Sequence, residues 1–175
     1  MLEALSVSYS DSRKYLSEPP ATVVNGTGAS CTPCATGLGA SFDENLLRRV
    51  GEMLGSECRE RGVHCLLGPT TNIQRHPCGG RGFESYAEDP YLAGMLALRW
   101  IEGVQSQKVM VSPKHYVANE QEYYRRSNDS IVDERTLHEV SHRSFHLFVV
   151  LTLVTAFSSI WNLSAYNVKR NHLLS

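Results

Sequence analysis

The stretch VHCLLGPTTNIQRHPCGGRGFESYAEDPYLAGMLALRWIEGVQSQKVMVSPKH, residues 63–115, decides how this chain folds. It opens on a short apolar run, VHCLL (63–67), bounded by Gly62 and by Gly68-Pro69, as a buried strand is. It closes on a second such run, VMVSP (109–113). Between them Leu92, Met95, Leu96, Ile101 and Val104 line one face of a helix. Asp89 can cap that helix, and Pro90 sits in its first turn, where a missing N–H costs nothing. What remains is a polar, glycine-rich loop of about twenty residues, longer than most connections in compact domains, and such loops carry function or disorder.

The pattern extends to both sides. Upstream, Leu46, Leu47, Val50, Met53, Leu54 and Cys58 recur at helical spacing until Gly62 offers a stop, and Ser41 with Glu44 has the form of a capping box. Residues 1–41 are otherwise rich in Ser, Thr, Gly and Pro and read as loop or lead-in. Downstream, a second polar loop, KHYVANEQEYYRRSNDS (114–130), precedes a helix starting near Asp133. Helix, strand, long loop, helix, strand, long loop, helix is the rhythm of βα units and predicts an α/β fold with a parallel sheet wrapped by helices. In a barrel of such units the working residues gather in the loops after the strands' C-terminal ends. Both long loops lie there.

Composition narrows the function. The chain has 175 residues, 42% of them hydrophobic and 20% charged, which suits one globular unit. Its net charge of −1, with both signs mixed along the chain, supplies no basic stripe for a phosphate backbone, so nucleic acid is not an expected partner. Five cysteines, at 31, 34, 58, 65 and 78, suggest neither a disulfide framework nor a four-cysteine zinc site, and reduced thiols are expected. The first twenty residues lack the basic start and apolar run of a secretory signal. The expectation is a cytoplasmic chain or a truncated secreted one; in the latter case the sequons at Asn25, Asn128 and Asn162 would matter. Leu147 to Tyr166 carries no charge and is about long enough to span a bilayer. Thr152, Thr155, Ser158, Ser159, Asn162 and Ser164 dilute it, and its densest part, Leu147 to Phe157, has the length of a buried core segment. A membrane is therefore not an expected partner.

The first long loop offers Arg81, Glu84, Glu88 and Asp89; the second offers Lys114, His115, Asn119, Glu120 and Glu122. A guanidinium, an ammonium and an imidazole form a good set for a hydroxyl-rich ligand, because they make charge-assisted hydrogen bonds at fixed angles. The glycines around Arg81 let backbone approach such a ligand closely. Glu88, Asp89 and Glu122 read more simply as a solvated rim and a helix cap.

These residues resemble a known family. LLGPTTNIQRHPCGGRGFESYAEDPYLAG (66–94) and KHYVANEQEYYRRSNDSIVDERTLHEV (114–140) are similar to the N-terminal domain of family-three glycoside hydrolases, the retaining β-glucosidases and their relatives. NGTGASCTPCATGLGASFDENLL (25–47) and SAYN (164–167) fit the same pattern in the same order. The resemblance implies a TIM-type (β/α)8 barrel with a sugar pocket at the strand ends and β-glucosides as substrate. It implies that Arg81, Lys114 and His115 hydrogen-bond the sugar hydroxyls, that Tyr166 sits near the nucleophile, and, more roughly, that Glu122 and Arg126 act behind them. The mechanism so implied is double displacement through a glycosyl-enzyme, with no metal or organic cofactor.

The same resemblance says what is missing. The family's nucleophile is an Asp in a Ser-Asp-Trp-like motif downstream of the AYN segment, its acid/base usually lies in a later domain, and an Asp-Gly segment of the first barrel loop grips the sugar. No acidic residue follows Glu139. The expected layout is a lead-in (1–23), a partial N-terminal domain (24–146) and a divergent apolar tail (147–175), that is, a partial barrel truncated before its last strands. A fragment with little or no hydrolytic activity is expected, or one that only binds sugar or a partner, and its oligomeric state stays open.

Two other motifs compete. HEVSH (138–142) has the H-E-x-x-H form of zinc proteases, yet a catalytic zinc needs a third protein ligand. His146 extends the same stripe by a turn and would not converge on the same ion, and His172 is the only other histidine downstream. CTPC (31–34) has the C-x-x-C form of disulfide oxidoreductases, but no apolar strand precedes it. Cys78, beside Gly79, would be reactive only if exposed.

Overall fold

A computed structural model describes residues 30–124, 127 and 130–151, with the backbone alone for the last four. Its centre is a pair of helices. The first long helix, α2 (Glu44–Glu60), follows a five-residue helix, α1 (Ala35–Gly39), and the second is α3 (Pro90–Ser106). α2 buries Leu47, Leu54 and Cys58 on one face, the face its spacing predicted. α3 buries Ala93, Leu96, Ala97, Ile101 and Val104 at full or nearly full depth. The two backbones touch at Gly51 and Gly103: a Cβ on Gly51 would overlap the Trp100 carbonyl oxygen, and one on Gly103 the Arg48 carbonyl oxygen. Only residues without side chains permit that approach.

The helix ends follow side-chain chemistry. Asp89 caps α3 by accepting from the N–H groups of Tyr91 (3.0 Å) and Leu92 (3.4 Å), with Pro90 in the first turn as expected. α2 corrects the expectation of a Ser41–Glu44 capping box. Its cap is Asp43, which accepts from Asn45 N (2.9 Å) and Leu46 N (3.0 Å). Ser41 is already engaged, its hydroxyl donating to Leu38 O at 2.6 Å and so closing the end of α1. α1 itself falls where the sequence read loop. Past α2, Gly62 takes a φ of +68°, a left-handed stop that glycine adopts without strain.

The strands are shorter than their apolar runs. β1 (Cys65–Leu66) pairs in parallel with β2 (Met110–Val111), in the register Cys65↔Met110 and Leu66↔Val111. Pro69 and Pro113 have no N–H to donate, which cuts the regular ladder. Hydrogen bonds nonetheless carry the alignment on: Ser112 N to Leu66 O (2.9 Å), Lys114 N to Pro69 O (2.9 Å) and Thr71 N to Lys114 O (2.7 Å). Isolated parallel bridges join Thr70 to Lys114 on one side and to Ser85 on the other. The Gly68–Pro69, Lys114–His115 and Tyr116–Val117 peptide bonds are cis. Among the described residues the sheet thus holds one parallel pair with bridges beyond it, a β/α arrangement rather than a closed barrel.

The last helical segment starts as expected at Asp133, whose carboxylate caps α4 (Glu134–Thr136) by accepting from Thr136 N at 3.0 Å. A π-helical turn (Leu137–Ser141) then leads into α5 (Arg143–Leu151). α5 packs on α3 at Gly94, where a Cβ would come within 2.7 Å of Leu147 Cδ1 and 3.1 Å of Ser144 Cα. The Ser144 hydroxyl donates to Thr71 O at 3.0 Å, tying α5 to the chain beyond β1.

Candidate functional site

Beyond the two strands the chain turns into the two polar loops, and the parallel alignment brings them together. Arg81, from the first, places Nη1 3.2 Å from Nε2 of His115, from the second. Glu84 holds the guanidinium in a two-pronged pair, accepting from Arg81 Nε at 2.9 Å and from Nη2 at 2.6 Å. The turn Gly82–Glu84 is a single 3₁₀ turn, so Arg81 and Glu84 stand one above the other and the fork closes locally. Thr70 Oγ1 donates to Glu84 at 3.3 Å, and Glu122 Oε1 lies 3.6 Å from Arg81 Nη1, within ion-pair range but too far for a hydrogen bond.

His115 is held just as firmly. Asn72 Oδ1 accepts from His115 N–H (2.8 Å) and meets Nδ1 (3.0 Å), while Asn72 Nδ2 donates to His115 O (3.2 Å). Lys114 and His115 are only 7% and 6% exposed, an unusual depth for a cation beside an imidazole and a sign that both are built in rather than solvated. Lys114 borders a cleft of about 480 Å³ together with Thr70, Phe83, Glu84 and Cys34. Arg81 and His115 border a much smaller cavity with Asn119 and Glu120, and Thr70 lines both. Glu84 links the two sides, because it grips Arg81 directly and feels the charge of Lys114.

The carboxyls here have opposite tendencies. Burial pushes Glu84 up, but the hydrogen bonds and charge of Arg81, the charge of Lys114 and the Thr70 hydroxyl outweigh it and hold the group below its ordinary value. Glu120 is raised, chiefly by burial, with Arg75 at 3.7 Å and a hydrogen bond from Asn72 compensating only in part. Asn119 Oδ1 is buried without a hydrogen-bond partner among the described residues.

Residues 21–150 match the model of the glycosyl hydrolase family 3 N-terminal domain. The chain belongs to glycosyl hydrolase family 3. It is 53% identical over 122 residues to a probable β-glucosidase H of Emericella nidulans, an alignment covering 70% of this chain and 15% of that protein. It also resembles the crystal structure of a β-glucosidase from Kluyveromyces marxianus in complex with glucose, with 44% identity and a TM-score of 0.70, over 72% of this chain and 15% of that one. β-glucosidase 3B from Thermotoga neapolitana, in complex with α-D-glucose, is 42% identical with a TM-score of 0.70 over 75% of this chain and 18% of its own. The chain thus spans about 15% of the length of curated relatives such as this β-glucosidase H.

Of the family 3 residues singled out in the sequence, Arg81 and His115 meet directly and Lys114 joins them through Glu84. Tyr166, Arg126 and the sequons at Asn25, Asn128 and Asn162 lie outside the described residues. So does most of the uncharged 147–166 stretch; among the described residues no helix is long and apolar enough to cross a membrane. Asn72 and Thr70 were missed, since a lone amide and a lone hydroxyl inside TTNIQ carry no pattern of their own. HEVSH falls on the π-helical turn rather than an α-helix. There His142 stacks on Tyr116, with ring centroids 5.1 Å apart and planes 11° from parallel. Among the described residues no three His, Cys, Asp or Glu side chains come close enough together to hold a metal ion. Cys31 and Cys34 are exposed free thiols, as is Cys78.

Proposed function

We propose that this chain supplies the sugar-holding wall of a β-glucosidase-type site at the strand ends of a TIM-type barrel, with Arg81, Lys114 and His115 hydrogen-bonding the hydroxyls of a terminal β-D-glucosyl residue. By its place in the SAYN motif, Tyr166 is assigned to the same sugar-binding set. The observation that carries the proposal is the 3.2 Å meeting of Arg81 with His115 from two separate loops, beside buried Lys114. A charged fork locked by Glu84, an imidazole locked by Asn72 and a buried ammonium suit a small polyhydroxylated ring better than an apolar or anionic ligand. The glucose bound in two of the similar family 3 structures supports the same ligand class.

The 175 residues alone do not turn substrate over. Retaining hydrolysis needs two carboxyl groups about 5 Å apart, one of them free to attack carbon. Glu84 commits both oxygens to Arg81 and Thr70, Glu120 is buried beside Arg75, and Glu122 faces Arg81. These carboxylates position cations, and no acidic residue follows Glu139 to take the attacking role.

Two measurements test this. Titration calorimetry with glucose should show binding that Arg81→Ala or Lys114→Ala weakens by about tenfold, the effect of one charge-assisted hydrogen bond; binding indifferent to both changes overturns the site. Nitrophenol release from an aryl β-glucoside should not exceed that of the Lys114→Ala control, and clear turnover above it overturns the inactivity.

A further inference from the structure

We infer that Asn72 is a positioning residue that sets the proton on His115 and makes its Nε2 a hydrogen-bond acceptor facing the sugar. The inference rests on the sugar-holding assignment above, but its geometry stands alone. The His115 backbone N–H can only donate, so the Asn72 atom 2.8 Å away must be the amide oxygen. That oxygen can only accept, so His115 Nδ1, 3.0 Å from it, must carry the ring proton. The amide nitrogen then donates to His115 O at 3.2 Å. With Nδ1 protonated, the neutral ring presents a bare Nε2, and the guanidinium 3.2 Å away, which has donors only, gives its N–H to that lone pair. A proton on Nε2 would instead set donor against donor.

The chemical consequence is a mixed wall. A sugar hydroxyl both gives and accepts a hydrogen bond; Arg81 and Lys114 can only give. His115 Nε2, held unprotonated by Asn72, has one lone pair, filled by Arg81 in this structure; a sugar hydroxyl takes it by displacing that N–H, which then donates to the sugar in turn. Asn72 touches no ligand in this scheme and acts through His115, the role that second partners of ligating histidines commonly fill.

The test is two-bond proton–nitrogen correlation NMR on the full chain with ¹⁵N-labelled histidine, the His115 signals assigned by their loss in His115→Gln. The expected spectrum shows Nδ1 protonated and Nε2 bare at neutral pH. Asn72→Ala should mix the two tautomers and weaken glucose binding about tenfold, while Asn72→Asp, which keeps the accepting oxygen, should restore the wild-type tautomer. A wild-type His115 protonated on Nε2, or a tautomer unchanged in Asn72→Ala, overturns the inference. If the alanine variant does not fold, the wild-type and Asn72→Asp spectra decide, and an Nε2-protonated ring in either overturns it. A His115 proton that follows Asn72 in a chain indifferent to glucose upholds the positioning and removes the sugar-holding assignment instead.

Discussion

At Glu84, burial and charge pull on one carboxyl in opposite directions, and charge wins because Arg81 supplies two short hydrogen bonds with its field. The folded state therefore binds this proton more weakly than the unfolded chain does. The resulting stability is fully present above the ordinary carboxylate range and is lost as pH falls through the lowered folded value. Glu120 has the opposite sign: raised by burial, it favours the fold below the ordinary value, and that contribution is lost as pH rises through the raised one. Urea denaturation across pH should show Glu84→Gln losing about 2 kcal/mol at neutral pH and flattening the acid side of the stability curve. Glu120→Gln should gain stability at neutral pH, and a loss there would refute the burial argument. Arg81, Lys114 and His115 could be singled out in the sequence because they lie in the polar loops that follow the two apolar runs and sit in motifs that resemble the family. Glu84 was visible only as one more acid on the same loop, since its geometry depends on a 3₁₀ turn of three residues.

Between α2 and α3 the decisive contact is made by residues with nothing to contribute but their smallness. Gly51 meets the backbone of Trp100 and Gly103, and the ion pair of Arg99 with Glu44 (2.7 Å) spans the same two helices nearer the start of α2. Gly51→Ala should destabilise the chain by about 1–3 kcal/mol, the cost of overpacking a tight contact, even though alanine is the better helix former. Thermal denaturation of that variant beside Ser56→Ala, exposed on the same helix, separates packing from propensity. Both long helices and both strand positions were legible from apolar spacing, and Asp89-Pro90 marked a helix start correctly. α1 was not legible, because five residues are too few to show a period; Leu38 and Gly39 are its buried pair, and a Cβ on Gly39 would overlap the Tyr86 carbonyl oxygen. The cap of α2 was misjudged by two residues, since Ser41 and Asp43 are both good caps and only the engagement of Ser41 with α1 leaves Asp43 for the role.

Across the whole molecule, the site is held at an angle set by distant packing. Ser144 on α5 reaches Thr71 O, one residue from Asn72, while Thr36 on α1 shares its one hydroxyl proton between Gly82 O and Ser85 O, 3.2 Å from each, bracing the Arg81 loop from the other side. Ser144→Ala leaves the buried Thr71 carbonyl without that donor and should cost about 1–3 kcal/mol by urea denaturation, with a matching loss of glucose affinity. Unchanged affinity at reduced stability would show that α5 supports the fold without steering the site. The amino-acid order alone settled the alternation of helix, strand and polar loop and the types of side chain the loops carry, because periodicity, caps and charge are local properties. Which atoms face one another had to await the folded chain. The meeting of Arg81 with His115 and the proton that Asn72 imposes depend on pairs 34 and 43 positions apart, and only burial and strand pairing bring such distant residues into contact.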